Sequence, residues 1–193
     1  MRDRDVRKAL HAKVLAKHLD APDTRVIEEL GICWGTSRID IAVINGKLHG
    51  YEIKSDADTL ERLPSQMFAY NSVFDRVSIV VGGHHAERVL SIIPEWWGVK
   101  IASEGAKRAV HFEQFRWPSD NPCVDPFEVA RLLWREEAFS ILDDLGASQG
   151  MKGKSREALY RRLTTVLTSH ELGAHVRWRL KQRSGWRVES LSA

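Results

Sequence analysis

A chain of 193 residues with 43% hydrophobic side chains suits one sizeable domain around a buried core, which excludes a disordered segment. Its formal net charge of +3 marks neither an acidic nor a basic protein, and its two cysteines, Cys33 and Cys123, exclude a disulfide framework and a cysteine-built metal site. No apolar run approaches the roughly 20 residues of a membrane span, and the charged stretch 1–8 leads into no apolar targeting region, so a soluble cytoplasmic protein is expected.

Taken in order, the chain alternates between helical and strand patterns. Residues 3–19 carry Val6, Leu10, Val14, Leu15 and Leu19 on a helical stripe, which Asp3 or Asp5 can cap and which residues 20–22, ending in Pro22, stop. Residues 24–31 read as a strand with Glu28 and Glu29 in it. Two apolar runs, 39–44 and 48–53, flank Asn45-Gly46, a hairpin signal because both positions of a two-residue turn call for positive φ. Residues 60–74 suit a helix, with Pro64 near its start where the missing N–H is harmless. The β-branched run 76–82 reads as a buried parallel strand. A helix over 83–93 is stopped by Pro94, 99–102 is a further strand, and 110–115 can return against it. The class is α/β. Residues 118–126 hold Pro118, Pro122 and Pro126 among Ser, Asp and Asn and have a linker composition. The remainder is helical in pattern, over 127–145, 155–168 and 171–183. The division expected is a core over 1–117, a linker over 118–126 and an all-helical extension over 127–193.

Into the apolar runs of the hairpin the sequence inserts Asp40, Glu52 and Lys54. Strand side chains alternate faces, so Glu52 and Lys54 point one way and Ile53 the other. Two carboxylates near the ends of neighbouring strands suit Mg²⁺, which takes oxygen ligands, keeps several waters and needs only one or two carboxylates beside a substrate phosphate. Such an ion polarises a phosphoryl oxygen and supplies hydroxide from bound water. A lysine at the rim can orient that water or offset developing charge. The same residues also suit a solvated strand face, because Glu-x-Lys is common. If the strand at 24–31 and the one that follows form a hairpin centred near Trp34, Glu29 falls opposite Asp40 and shares its face. Glu28 is held in reserve, because a slip of one residue reverses the choice. Gln66 and Tyr70 are four apart and share one helical face.

Asp40, an eleven-residue gap and then Glu52-Ile53-Lys54 resemble the Asp…Glu-x-Lys motif of the PD-(D/E)XK, or restriction-endonuclease-like, nuclease superfamily. Ile39 stands where the proline of the motif would be. Gln66-x-x-x-Tyr70 is similar to the accessory motif of the exonuclease-type branch of that superfamily. The resemblance covers about residues 1–103. It implies a restriction-endonuclease-like core, a mixed central sheet flanked by helices. It implies Mg²⁺ or Mn²⁺ held by Asp40, Glu52, the carbonyl of Ile53 and an upstream acid placed at Glu29. Lys54 would assist the nucleophile, and Gln66 and Tyr70 would border the site. The implied reaction is phosphodiester hydrolysis, in DNA first with RNA open, serving repair, recombination or defence against foreign DNA. The expectation from a different class is a nucleic-acid-binding protein that keeps the fold without cleaving.

Other features carry less chemistry. His84-His85 lack partners at zinc-like spacing and read as surface or helix-start residues. Trp96-Trp97 read as packing, with base stacking the lesser reading. Residues 118–149 carry two basic and seven acidic side chains, and residues 150–187 ten basic and two acidic. The basic set runs from Lys152, Lys154, Arg156, Arg161 and Arg162 through Arg177, Arg179, Lys181 and Arg183 to Arg187. It suits a phosphate backbone, and equally a solvated helical face. Residues 142–163 loosely resemble the helix–loop–helix DNA-binding module called SAP. DNA is the expected partner, a membrane is not, and a homodimer stays open.

Overall fold

The computed structural model describes residues 1–183. The expected first helix is continuous but not uniform: α1 (Asp3–Leu10), a π-helical turn (His11–Leu15) and α2 (Ala16–Leu19). Val6 and Leu10 are four residues apart and Leu10 and Leu15 five, yet all three are fully buried. The wider π turn keeps the five-residue step on one face.

Six strands follow in one mixed sheet, side by side in sequence order. They are β1 (Arg25–Ile32), β2 (Ser37–Ile44), β3 (Leu48–Lys54), β4 (Arg76–Gly82), β5 (Gly98–Glu104) and β6 (Val110–Arg116). The steps β3–β4–β5 are parallel and the others antiparallel. Parallel neighbours need a crossover, supplied here by α3 (Leu63–Val73) and α4 (Ala86–Leu90). The class is therefore α/β, as expected. Ile44 pairs with Leu48, so the β2–β3 loop has three residues rather than two. Neither Asn45 nor Gly46 adopts positive φ. Instead Asn45 Oδ1 accepts from the Lys47 N–H at 3.0 Å, a side chain replacing the left-handed pair.

The two faces of the sheet fill two cores. The smaller, beneath α1, holds Val6, Leu10, Ile41, Val43, Tyr51 and Ile53. The larger holds Ala42, Ile44, Leu48, Leu63, Tyr70 and Val73, and runs on without a break into the helical extension through Leu133, Ile141, Leu159, Leu163, Leu172 and Val176. Trp97 is wholly buried there and donates to Asn71 Oδ1 at 2.9 Å, which is the packing role.

The extension comprises α5 (Pro126–Ala130), α6 (Arg135–Asp144), α7 (Arg156–Val166) and α8 (Ser169–Gln182). The single helix expected over 127–145 is two. Trp134 is extended, and its N–H donates to Glu137 at 2.7 Å, which starts α6 afresh without a glycine or proline to announce it. The stretch 118–126, read as a linker, is docked along its length. Ser119 N–H donates to Trp96 O (2.9 Å), Asn121 N–H to Asp75 O (2.8 Å) and Asp125 N–H to Ser72 O (2.9 Å). Asn121 Nδ2 also donates to Asn71 O and Phe74 O at the end of α3. Polar side chains that look like a linker are here satisfying a helix terminus. Among the described residues no helix is long and apolar enough to cross a membrane.

A shared core has a thermodynamic consequence. Leu163→Ala, at a fully buried position of α7, should cost about 2–5 kcal/mol. It should shift one cooperative transition, seen alike by far-ultraviolet circular dichroism and tryptophan fluorescence. Two separate transitions, with only the second sensitive to the substitution, would mean that extension and sheet fold apart.

Candidate functional site

The site forms where the β2–β3 ladder stops. Its paired residues run from Ile44 and Leu48 to Ile41 and Tyr51. At the next step the Asp40 side chain takes over, its Oδ2 accepting the Ile53 N–H at 2.7 Å. Pairing of β1 with β2 lapses at the same point, between Glu28–Ile41 and Leu30–Ile39. There Glu29 adopts φ +53, a left-handed conformation that costs a residue with a Cβ on the order of 1 kcal/mol or more. A cleft of about 1250 Å³ opens beside these strands, lined by Arg7, Glu29, Asp40, Glu52, Ile53, Lys54 and Gln66 among others.

Glu52 is the centre of the hydrogen bonding. It is 2% exposed. Its Oε1 accepts from Lys54 Nζ (2.6 Å) and Gln66 Nε2 (2.8 Å), and its Oε2 from the Tyr70 hydroxyl (2.7 Å). Gln66 Nε2 also lies 3.2 Å from the Tyr70 hydroxyl. The helix α3 presents Gln66 and Tyr70 together because they are one turn apart. The Tyr70 hydroxyl has a second acceptor at 2.7 Å, the Arg38 carbonyl. One proton serves one of them at a time.

Charge explains the titration. Burial, and then the charge of Asp40, push the Glu52 carboxyl up to about 7, against the pull of Lys54 and Tyr70. Burial and Glu52 raise Tyr70 far above the ordinary phenol, so it stays a neutral donor. Arg7, from α1, meets the acids on the other side. Its guanidinium lies 2.9 Å from Asp40 Oδ1, 3.2 Å from Glu28 and 3.1 Å from Glu29. Burial pulls its pKa down, but Asp40, Asp3, Glu29 and Glu28 outweigh that and hold it above the usual value. The two glutamates part company. The close approach of His11 lowers Glu28, whereas burial and Asp40 raise Glu29. Glu29 lines the cleft, and Glu28 is tied to His11 at 2.7 Å.

The donor set fits a hard divalent cation. Asp40 and Glu52 are oxygen donors on one cleft floor, and their mutual repulsion is what a cation relieves. Gln66 Oε1 is buried with no hydrogen-bond partner, an acceptor left over beside Glu52. Among the described residues no group of three or more His, Cys, Asp and Glu could hold an ion unaided. Water, the Ile53 carbonyl and substrate oxygens would have to complete the shell, as Mg²⁺ allows.

The basic tail divides. Lys152, Lys154, Arg156, Arg161 and Arg162 are exposed before and along α7, with Arg161 paired to Glu157 at 2.7 Å. Others are structural. Arg177 meets Asp75 (3.4 Å), Arg179 meets Ser140 (3.0 Å), Lys181 pairs with Asp23, and Arg183 binds Glu137 (2.9 Å) and the Leu132 carbonyl (2.7 Å). Arg187 lies outside the described residues. His84 is exposed beside Asp56 at the turn into α4. Sequence reasoning missed Arg7, which no local pattern connects to Asp40 thirty-three residues on. It also missed Trp34 and Phe68, which stand exposed on the lining of the cleft.

Comparison with known proteins adds kinship. The family model described as bacteriophage P4 protein cII matches residues 2–191. Protein cII of Enterobacteria phage P4 is 36% identical over 146 residues, which are 76% of this chain and 54% of that protein. The chain thus spans about half the length of the curated relative it matches. Among solved structures, a protein of unknown function from Silicibacter pomeroyi covers 75% of this chain and 92% of its own, with 22% identity and a TM-score of 0.43.

The raised Glu52 carboxyl predicts a pH dependence of stability. Its folded value near 7 lies above the 4.5 of the unfolded chain, so the folded state holds the proton longer. The associated stability is fully present below about 4.5 and is lost as pH rises through 7, by at most roughly 3 kcal/mol. Melting of the metal-free protein should therefore fall between pH 5 and 8, and Glu52→Gln should flatten that fall. A profile that the substitution leaves unchanged would show that another group titrates.

Proposed function

The chain belongs to the bacteriophage P4 protein cII family, and we propose that it is a divalent-metal-dependent nuclease of restriction-endonuclease-like fold, hydrolysing phosphodiester bonds, in DNA first. What carries the reading is one observation: Glu52, Lys54, Gln66 and Tyr70 form a single hydrogen-bonded set beside Asp40 on the floor of an open cleft. A helix reaching down onto two neighbouring strands completes it, which a solvated strand face would not require.

Asp40, Glu52 and the Ile53 carbonyl would hold Mg²⁺ or Mn²⁺, with Glu29 as the upstream acid. Once bound, the ion would supply Lewis-acid polarisation of the phosphoryl oxygen and a water of lowered pKa. Lys54, anchored on Glu52 by one of its three N–H donors, keeps two for an attacking water or a non-bridging oxygen. Its burial strengthens that contact, because little bulk water competes. Gln66 and Tyr70 hold the Glu52 carboxylate in place. The exposed residues Lys152, Lys154, Arg156, Arg161 and Arg162 would add backbone contacts without sequence readout.

One observation favours the second reading, a nucleic-acid-binding protein that does not cleave. Arg7 already sits on Asp40 and neutralises part of the acid cluster, as a resident cation would in a site that has lost its metal. Cleavage assays on single-stranded, duplex and branched DNA and on RNA, with Mg²⁺ or Mn²⁺, separate the two. Asp40→Asn and Glu52→Gln should each lower cleavage at least about a hundredfold, the scale of one positioned group. Lys54→Met should lower it as far while Mn²⁺ binding, followed by calorimetry, persists. Cleavage that survives these substitutions and chelation would end the nuclease reading.

The tail makes a second, independent prediction. Lys152→Glu, Lys154→Glu and Arg162→Glu together should weaken duplex binding and make its salt dependence shallower, by about 0.9 in the log–log slope for each phosphate no longer neutralised. Binding that keeps the wild-type slope would remove these residues from the interface.

A further inference from the structure

Two large aromatic side chains stand exposed on the lining of the cleft. Trp34 is 56% exposed and Phe68 83% exposed, and both line the same cleft as Glu52 and Lys54. Phe68 lies on α3 between Gln66 and Tyr70, but on the outward side, where burial of the helix contributes nothing to its presence. Trp34 lies in the β1–β2 turn. Cys33, Trp34 and Gly35 have φ of +50, +61 and +79 in succession. Left-handed backbone is uncommon outside glycine and a genuine outlier for a bulky side chain. The turn therefore accepts strain at two residues, and the outcome is an indole held out over the cleft. Its orientation is set: the Arg131 guanidinium lies 5.0 Å from the ring centroid, and Tyr160 meets it edge-on at 6.4 Å.

Resting on the nuclease reading of the cleft, we infer that Trp34 and Phe68 are a stacking platform for unpaired nucleobases, so that the site takes a single strand or a frayed end rather than a closed duplex. Every base has a π face, and base–aromatic stacking contributes without sequence preference. A paired and stacked duplex keeps those faces inside, so the platform can engage only bases that are already unpaired. Charge does not account for this part of the cleft. Arg38 is paired with Glu29 (2.6 Å), Arg131 with Glu128, and Asp125 caps α5. The platform is thus an apolar recognition element on a lining that also carries seven acidic and five basic side chains, next to the acids at its catalytic end.

Fluorescence anisotropy in chelator, where no metal-dependent cleavage occurs, tests the inference on the full chain. The probes are a labelled single strand, the same strand as a duplex, an abasic strand of equal charge, and an RNA of the same sequence. Trp34→Ala and Phe68→Ala should each weaken single-strand binding roughly five- to a hundredfold, change duplex binding less than twofold and leave the salt slope unaltered. Trp34→Phe should recover most of the loss. The abasic strand should bind the wild type about as weakly as the normal strand binds the alanine variants. Equal losses on RNA assign the platform to bases irrespective of sugar, and losses on DNA alone narrow it to DNA. The inference is overturned if the wild type holds the abasic strand or the duplex as tightly as the single strand, or if the alanine variants bind like the wild type. It is overturned too if Phe68→Ala turns a dimer into a monomer on gel filtration, for the ring is then a self-contact. Cleavage is scored apart: absence of cleavage with intact stacking removes the nuclease reading alone, and cleavage with no stacking removes this one alone.

Discussion

A buried carboxylate is the constraint to which the surrounding structure answers. Glu52 is nearly inaccessible, and an isolated ionised group in such surroundings is several kcal/mol out of balance. Removing it from water is tolerable only because three donors converge on it, and those donors dictate neighbouring geometry. Lys54 must stay on the same face of β3. Helix α3 must be rotated so that Gln66 and Tyr70 reach down together, which turns Leu63, Ala69 and Val73 into the larger core. The helix is then fixed twice, by apolar burial and by the carboxylate beneath it.

The second carboxylate is handled differently. Asp40 is at a strand position where pairing lapses on both sides, and its oxygens take a backbone N–H from β3 and the guanidinium of Arg7. Arg7 reaches the site from the layer of α1, while Gln66 and Tyr70 reach it from the opposite layer. The acids thus sit at an interruption in the ladders, within reach of groups from both layers. That interruption is also where Glu29 departs from extended backbone, and strain of this kind gathers at sites whose geometry is over-determined by their surroundings.

The helical extension changes what the cleft is. It shares its core with the sheet, and Asp125, Glu128 and Arg131 of its first helix and flanking turn stand on the cleft lining together with Trp34 and Phe68. Several of its basic side chains are occupied structurally, Arg177 on Asp75 beside the sheet and Arg183 on Glu137 within the extension. The positive charge that composition assigns to this tail is therefore only partly available to a partner. What remains exposed is concentrated before and along α7.

Local pattern was enough for much of this. The six strands, the helix carrying Gln66 and Tyr70, and the spacing that brings Asp40 near Glu52 and Lys54 were all legible, because each depends on residues within one strand, one helical turn or one hairpin. Register was legible too: a β1–β2 turn near Trp34 places Glu29 level with Asp40, between the pairs Glu28–Ile41 and Leu30–Ile39, although a slip of one residue would have favoured Glu28. Other features were decided only in three dimensions. The sequence could not announce Arg7 at Asp40, since that pair is made by a helix packing across a sheet. It could not separate a docked polar segment from a linker at 118–126, because the same Asn and Asp side chains serve either solvent or the end of α3. The break at Trp134 carried no glycine or proline, and the strained turn at Cys33 and Trp34 used residues that ordinarily avoid it. For Arg7 and for 118–126 the deciding contact lies outside the span over which side-chain periodicity carries information, and only the folded chain brings its two halves together.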